Sequence, residues 1–260
     1  MDSDDLFTKT ALEELITLAE NFQADVINTN EFFVFNDIEI NTEELLNIKN
    51  LGTVRCNPGS PRLQKVTVVS ENVGERVKLW FNNDFHWATW ATFCRRDFLI
   101  TNQIHFPNMP PSEDQVFNFS CLCLAKKLLC VPNIVYIYRI RRDSISHEGT
   151  NLEKYFHKWL NTLSRGFNEF NKVMNRIAFF DEHSDYRYAV LNWFFERTIR
   201  DADQLRAAYE QIHAFQLNAL VKKEFHPDDA AFSSYLFDMV NIYRLQIMQL
   251  QAELSKFQHQ

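Results

Sequence analysis

The chain has little glycine and proline: 5 and 7 among 260 residues, well below average usage. So few punctuating residues favour long helices and argue against an all-β sandwich or barrel. No apolar run approaches the ~18 residues that a membrane-spanning helix needs. A basic surplus is also missing. Lys and Arg total 27 against 34 Asp and Glu, a net charge of -7, which argues against a duplex nucleic-acid binder. An anionic ligand would need a local basic patch or a metal ion. The 5 cysteines (Cys56, Cys94, Cys121, Cys123 and Cys130) are odd in number, which suits reduced thiols in the cytosol better than a secreted disulfide framework. The acidic opening Asp2-Ser3-Asp4-Asp5 is unlike a signal peptide.

What is present describes a folded chain: 46% hydrophobic, 23% charged, with 24 phenylalanines. A helical pattern starts at the N-terminus, with Leu12, Leu15, Ile16, Ala19 and Phe22 at three-and-four spacing and Thr8 or Thr10 as its cap. Residues 24–30 read as a short strand, extended or followed by Phe32 to Phe35, and its neighbours are expected to be missing, leaving an exposed apolar face or edge. Residues 36–62 read as a loop-rich excursion, and Lys65 to Ser70 as a strand. The proline-rich loop Phe106 to Pro111 is stiff. It leads to a helix running to about Leu129, with Ser112 as N-cap. Val131 to Arg139 reads as a strand. Beyond residue 150 the pattern is helical, over roughly 151–180, 184–200, 201–224 and 230–258. In the last helix Leu236, Val240, Tyr243, Ile247, Leu250, Leu254 and Phe257 alternate steps of four and three. That seam fits a coiled coil joining two copies, and it fits packing against the chain's own helices equally well.

Three clusters carry candidate chemistry. Asp2, Asp4 and Asp5 gather carboxylates that repel unless a cation sits among them, and oxygen ligands of this kind select Mg²⁺ or Mn²⁺. Read alone, the same trio is an acidic, solvated helix start. Glu113 and Asp114 follow the proline loop, where a fixed carboxylate can serve as a general base or simply complement the helix dipole. Arg139, Arg141 and Arg142, followed by His147, stand after a strand, where they could hold phosphates or form a solvated basic turn.

The order of these pieces resembles the second half of a bacterial family 2 glycosyltransferase of the A-type fold. The resemblance runs from Asp2-Ser3-Asp4-Asp5-Leu6-Phe7 and Ala24-Asp25-Val26-Ile27, through Trp90 and Cys94-Arg95-Arg96-Asp97-Phe98-Leu99. It continues at Ile104-His105-Phe106-Pro107, Glu113-Asp114-Gln115-Val116-Phe117 and Tyr138 to Ser146, and covers roughly residues 1–147. It implies an α/β fold: a truncated A-type glycosyltransferase sheet, here a partial catalytic domain over 1–147 carrying the metal and acceptor side. A helical C-terminal domain over 148–260, with a coiled-coil tail at 236–257, would follow.

The resemblance also implies roles. Asp2 and Asp4, assisted by Asp5, would hold the divalent metal against the diphosphate of a nucleotide-sugar, with Arg139, Arg141 and Arg142 gripping the phosphates. Asp114 would take the proton of an acceptor hydroxyl as it attacks the anomeric carbon with inversion. Glu113 would orient Asp114 or touch the acceptor, and Trp90 would contact the acceptor. Arg141 stands where family members often carry a histidine, and Trp90-Ala91-Thr92 where they carry Trp-Asn-Lys. Only Met1 precedes Asp2, so the expectation is a fragment lacking the nucleotide-binding half. The implied setting is surface-polysaccharide synthesis in the cytoplasm or at the inner face of the membrane. The acceptor would be a saccharide or lipid-linked, with no nucleic-acid partner. Two other readings remain: a non-catalytic helical interaction module, and a different metal-dependent phosphoryl enzyme using the same acids.

Overall fold

The computed structural model describes residues 5–36, 53–56, 63–109, 112–140, 162, 165–203 and 247–251. Its elements are β1 (Leu6–Phe7), α1 (Ala11–Phe22), β2 (Val26–Thr29), β3 (Glu31–Asn36), β4 (Thr53–Cys56), β5 (Thr67–Val69) and α2 (Val73–Phe81). Then come β6 (Thr92–Cys94), α3 (Arg96–Thr101), α4 (Glu113–Leu124), β7 (Leu128–Val131), β8 (Tyr136–Ile140), α5 (Phe179–Glu182) and α6 (Ser184–Asp203). Residues 165–174 and 247–251 are also helical.

The strands form two four-stranded sheets, ordered β5-β7-β2-β6 and β1-β8-β3-β4. In each the central pair is parallel and both outer strands are antiparallel to their neighbours. The central pairs are continuous along the chain: β2 passes into β3 through Asn30, and β7 passes into β8 through residues 132–135. Between Thr29↔Val131 and Phe33↔Ile137 the second strand spends two more residues than the first. Pro132 begins that extra length, and lacking an N–H it cannot extend the ladder. The single strand expected over Val131 to Arg139 is therefore two strands in two sheets. The 36–62 excursion is likewise not all loop, because Thr53–Cys56 pairs antiparallel with β3.

The shortage of glycine shows at the helix ends. Gln23, Asn83 and Gln103 take φ of 52°, 59° and 50°, the left-handed region usually left to glycine. In each case the next residue's N–H bonds back five residues: Ala24 to Ala19 O (2.9 Å), Asp84 to Leu79 O (2.8 Å) and Ile104 to Leu99 O (2.9 Å). The three turns share this Schellman closure, which satisfies carbonyls that a helix end otherwise leaves orphaned. The side-chain caps expected from sequence do not form in this way. Thr10 and Ser112 occupy the cap positions of α1 and α4, but neither side chain bonds the helix backbone.

On α1 the inward stripe is Ala11 and Leu15, with Leu18 and Ala19 packed beside it, whereas Leu12 and Ile16 face outward. The expected face is thus rotated by about one residue. β2 is not left open: it lies between β7 and β6, and Val26–Thr29 are all buried. α4 is buried from Gln115 to Cys123, which marks a helix sunk in the core rather than laid on it. Trp80, Phe119, Phe170, Phe180, Val190 and Phe194 belong to one buried cluster with Val26 and Leu128. The described helices beyond residue 147 therefore share a core with the sheet. Gly166 is needed for that approach, because a Cβ there would lie 2.1 Å from the Phe194 ring.

Two buried charges tie the layers. Asp25 accepts from Arg95 Nη2 (2.5 Å), Lys126 N (2.9 Å) and Lys127 N (3.1 Å), joining β2 to the ends of β6 and α4. Arg76, only 1% exposed, donates to Ser70 O (2.6 Å), Leu122 O (3.1 Å) and Ala125 O, so it caps the C-terminus of α4. Burial lowers its pKa from the ordinary value, against the opposing pull of Cys123, Glu71 and Asp25.

Candidate active site

The site is built around residues 86–92, a segment held by two buried amides. Asn28, in β2, donates from Nδ2 to His86 O (3.0 Å) and Thr92 Oγ1 (3.0 Å), and its Oδ1 accepts from His86 N (2.8 Å). Asn118, one turn along α4 from Asp114, donates from Nδ2 to Trp87 O (2.6 Å). Both asparagines are fully buried. Within the segment His86 Nδ1 accepts from Ala88 N (3.1 Å), which requires that nitrogen to carry no proton. Burial, and secondarily the charge of Arg197, pushes the His86 pKa down to about 3, so the ring is neutral across the physiological range. Arg197, from α6, lies over the Trp87 ring at 4.3 Å.

This scaffold presents Thr89 and Trp90 in two directions. Thr89 N donates to Asp114 Oδ2 at 3.4 Å. Trp90 stacks on Tyr136 with ring centroids 4.6 Å apart and planes 14° from parallel, and stacks more loosely on Tyr138 at 6.0 Å. Phe32 and His86 pack against its other sides, each at 4.7 Å. Tyr136 in turn donates its hydroxyl to Asp5 Oδ2 (2.6 Å), and Arg139 N donates to Asp5 Oδ1 (2.7 Å). A continuous run of contacts thus joins Asp5, Tyr136, Trp90, Thr89 and Asp114, and four of the residues singled out from sequence (Asp5, Trp90, Asp114 and Arg139) meet along it.

Glu113 and Asp114 are half-buried in the first turn of α4. Glu113 Oε2 is shielded from solvent and has no hydrogen-bond partner among the described residues. The same holds for Gln115 Oε1 and Asn118 Oδ1. The first turns of α4 therefore carry acceptor capacity that the described residues do not use. Asp5 is different. It is 4% exposed, and both its oxygens accept from protein donors, so it fastens the chain ahead of β1 to β8. Asp2, Asp4, Arg141, Arg142 and His147 lie outside the described residues. Among those described, no three His, Cys, Asp or Glu side chains group closely enough to hold a metal. The described donors alone do not fit a Mg²⁺ or Mn²⁺ centre. No described helix is long and apolar enough to cross a membrane.

No protein-family model matches the chain, and no curated protein sequence does. The chain is similar to solved structures of Staphylococcus aureus TarS. One, TarS 1–349 in complex with UDP, matches at 15% identity with a TM-score of 0.39, over 65% of this chain and 39% of that one. TarS 1–349 gives the same identity and score over 81% of this chain and 65% of that one. A further TarS structure does so over 77% and 38%. This chain spans less than two thirds of each, and a likeness of this degree carries no argument about function.

Sequence reading missed Asn28, His86, Asn118 and Tyr136. A signal existed for the asparagines: each interrupts an apolar run, Val26-Ile27-Asn28 and Val116-Phe117-Asn118-Phe119. A buried amide survives in such a run only by finding partners.

Proposed function

We propose that the chain is a glycosyltransferase that moves a sugar from a nucleotide-diphosphate donor to an acceptor hydroxyl by a single inverting displacement. The observation that supports it is the run of contacts from Asp5 through Tyr136, Trp90 and Thr89 to Asp114, which ties two distant acidic motifs to one aromatic platform. Asp114, its Oδ2 oriented by the Thr89 N–H, takes the acceptor proton as the acceptor oxygen bonds to the anomeric carbon. The bond from that carbon to the diphosphate breaks at the same time. Glu113, with an acceptor atom unused among the described residues, orients the acceptor hydroxyl. Trp90, half-buried, contacts the acceptor, a saccharide or a lipid-linked one. Arg139, Arg141 and Arg142 hold the diphosphate. Asp2 and Asp4 are the proposed ligands of Mg²⁺ or Mn²⁺, which when bound offsets charge on the leaving diphosphate. The reading places the chain in surface-polysaccharide synthesis, in the cytoplasm or at the inner face of the membrane.

The test is a thermal melt of the full chain with Mn²⁺ alone, UDP alone and both. Binding to the folded form alone raises Tm, so the expected result is a larger shift with both than with either singly. The absence of a shift with Mn²⁺ and UDP together, and of UDP release from a panel of UDP-hexoses, would count against the proposal.

A second, compatible role concerns the C-terminus. In the helical stretch 247–251, Ile247 and Leu250 are 54% and 62% exposed, and both lie on the four-and-three seam. We propose that this seam joins two copies of the chain. Deleting residues 236–260 is expected to halve the mass measured by light scattering, and an unchanged mass would remove the proposal.

A further inference from the structure

We infer that Cys94 and Cys121 form a peroxide-responsive dithiol that closes into a disulfide between β6 and α4. Their sulfurs lie 3.7 Å apart, in van der Waals contact and about 1.7 Å beyond the bonded distance. No other pair of described cysteines shows such a contact. The two sulfurs also differ in access. Cys121 is fully buried, whereas Cys94 is half-buried and lines a groove of about 390 Å³ shared with Asp25, Phe93, Arg95 and Arg96. Its strand is the outer one of its sheet, paired with β2 on one side among the described residues. A small oxidant entering the groove meets Cys94 first. Cys123, two residues from Cys121 on the same helix, faces away and cannot substitute.

The chemistry closes without a further reactant. Hydrogen peroxide takes two electrons from the Cys94 sulfur as its O–O bond breaks, leaving a sulfenic acid and one water. The Cys121 sulfur then attacks, the S–S bond forms as the S–OH bond breaks, and the Cys121 proton departs with the hydroxide as a second water. Two thiols and one peroxide become one disulfide and two waters. The hydrogen bond with Cys94, together with burial, holds the Cys121 thiol well above its ordinary pKa. The buried Cys121 is therefore not the sulfur that peroxide oxidises first, and as the resolving sulfur it gives up its proton when it attacks. The bridge closes a ring from residue 94 to 121 that contains α3 and the turn of α4 bearing Glu113 and Asp114. Oxidation thus straps the helix carrying those acids to the sheet.

The experiment treats the full chain with a slight molar excess of hydrogen peroxide, blocks remaining thiols, and digests with trypsin without reductant. The expected product joins peptide 79–95, which holds Cys94, to peptide 97–126, and dithiothreitol separates them. Peptide 97–126 contains both Cys121 and Cys123, so Cys123→Ser is included and is expected to keep the cross-link. Cys94→Ser and Cys121→Ala are each expected to abolish it, and the oxidised parent is expected to melt several degrees higher. Recovery of Cys94 only as unlinked sulfinic or sulfonic acid overturns the inference, as does a cross-link that persists in Cys121→Ala. Should Cys121→Ala not fold, Cys123→Ser decides the matter: loss of the link there would place Cys123 in it and also overturns the inference.

Discussion

Asp114→Asn is expected to lower sugar transfer by about 10²–10⁴-fold, the range a positioned general base supplies, while leaving the Tm shift with Mn²⁺ and UDP unchanged. The expectation of selectivity comes from the local geometry. The Thr89 N–H needs only an acceptor oxygen at 3.4 Å, and an asparagine carbonyl provides one, so the 86–92 segment keeps its anchor on α4. What the amide cannot do is take a proton from an attacking hydroxyl. Glu113→Gln is the natural companion, because its carboxylate lies in the same turn and has a shielded oxygen with no partner among the described residues. If Asp114 is the base and Glu113 orients the acceptor, the first variant loses turnover at saturating acceptor and the second raises the acceptor KM. Titration calorimetry with UDP and Mn²⁺ separates these from a binding defect. Equal loss of transfer and nucleotide binding in Asp114→Asn would mean that the residue holds the donor or the fold instead.

The parts of this arrangement that sequence disclosed are local in the chain. Glu113-Asp114 at a helix start, β2 near Val26 and β5 near Thr67 each follow from a few neighbouring residues, and each is present. The α/β class is implied by the family resemblance, and the two sheets with their helices agree with it. What escaped depends on residues far apart. That Thr53–Cys56 is a strand rests on β3 lying beside it, since turn residues dominate its own stretch. The break at Pro132 is written in the sequence, but the change of sheet is not, because it needs β2 and β3 to make the same passage alongside. α1 illustrates a different limit. Its apolar residues outnumber the places available inside, so the pattern admits two faces, and contact with β7 selects Ala11 and Leu15 over Leu12 and Ile16. Within the site, Trp90 was legible as an aromatic next to a motif. Its stacking on Tyr136 joins distant parts of the chain and the tie from Tyr136 to Asp5 bridges 131 residues, beyond the reach of any spacing rule.

The largest expected effect of pH falls on His86, the neutral ring beneath Trp90. Its folded pKa of about 3 lies below the ordinary 6.5, so the unfolded chain binds the proton first. The sign follows directly: the contribution of His86 is complete above pH 6.5 and is lost progressively as the pH falls toward 3. The slope is about 1.4 kcal/mol per pH unit, so roughly 3 kcal/mol disappears between pH 6.5 and 4.5, and about 5 kcal/mol over the whole window. The upper part of the window precedes the titration of most carboxylates, which makes it the diagnostic range. Protonation there would put a charge into a buried site beside Arg197 and turn the acceptor of the Ala88 N–H into a donor. The 86–92 segment would then lose its internal bond, and with it the fixed positions of Thr89 and Trp90. Urea unfolding at pH 7, 5.5 and 4.5 is expected to show this loss. His86→Gln retains an acceptor without the titration, so the variant is expected to be less stable than the parent at pH 7 but flatter between pH 6.5 and 4.5. Parallel curves for parent and variant over that interval would show that the ring is not the group that acid attacks. Because transfer depends on Thr89 and Trp90, the proposed activity is expected to fade along the same acid limb, ahead of global unfolding.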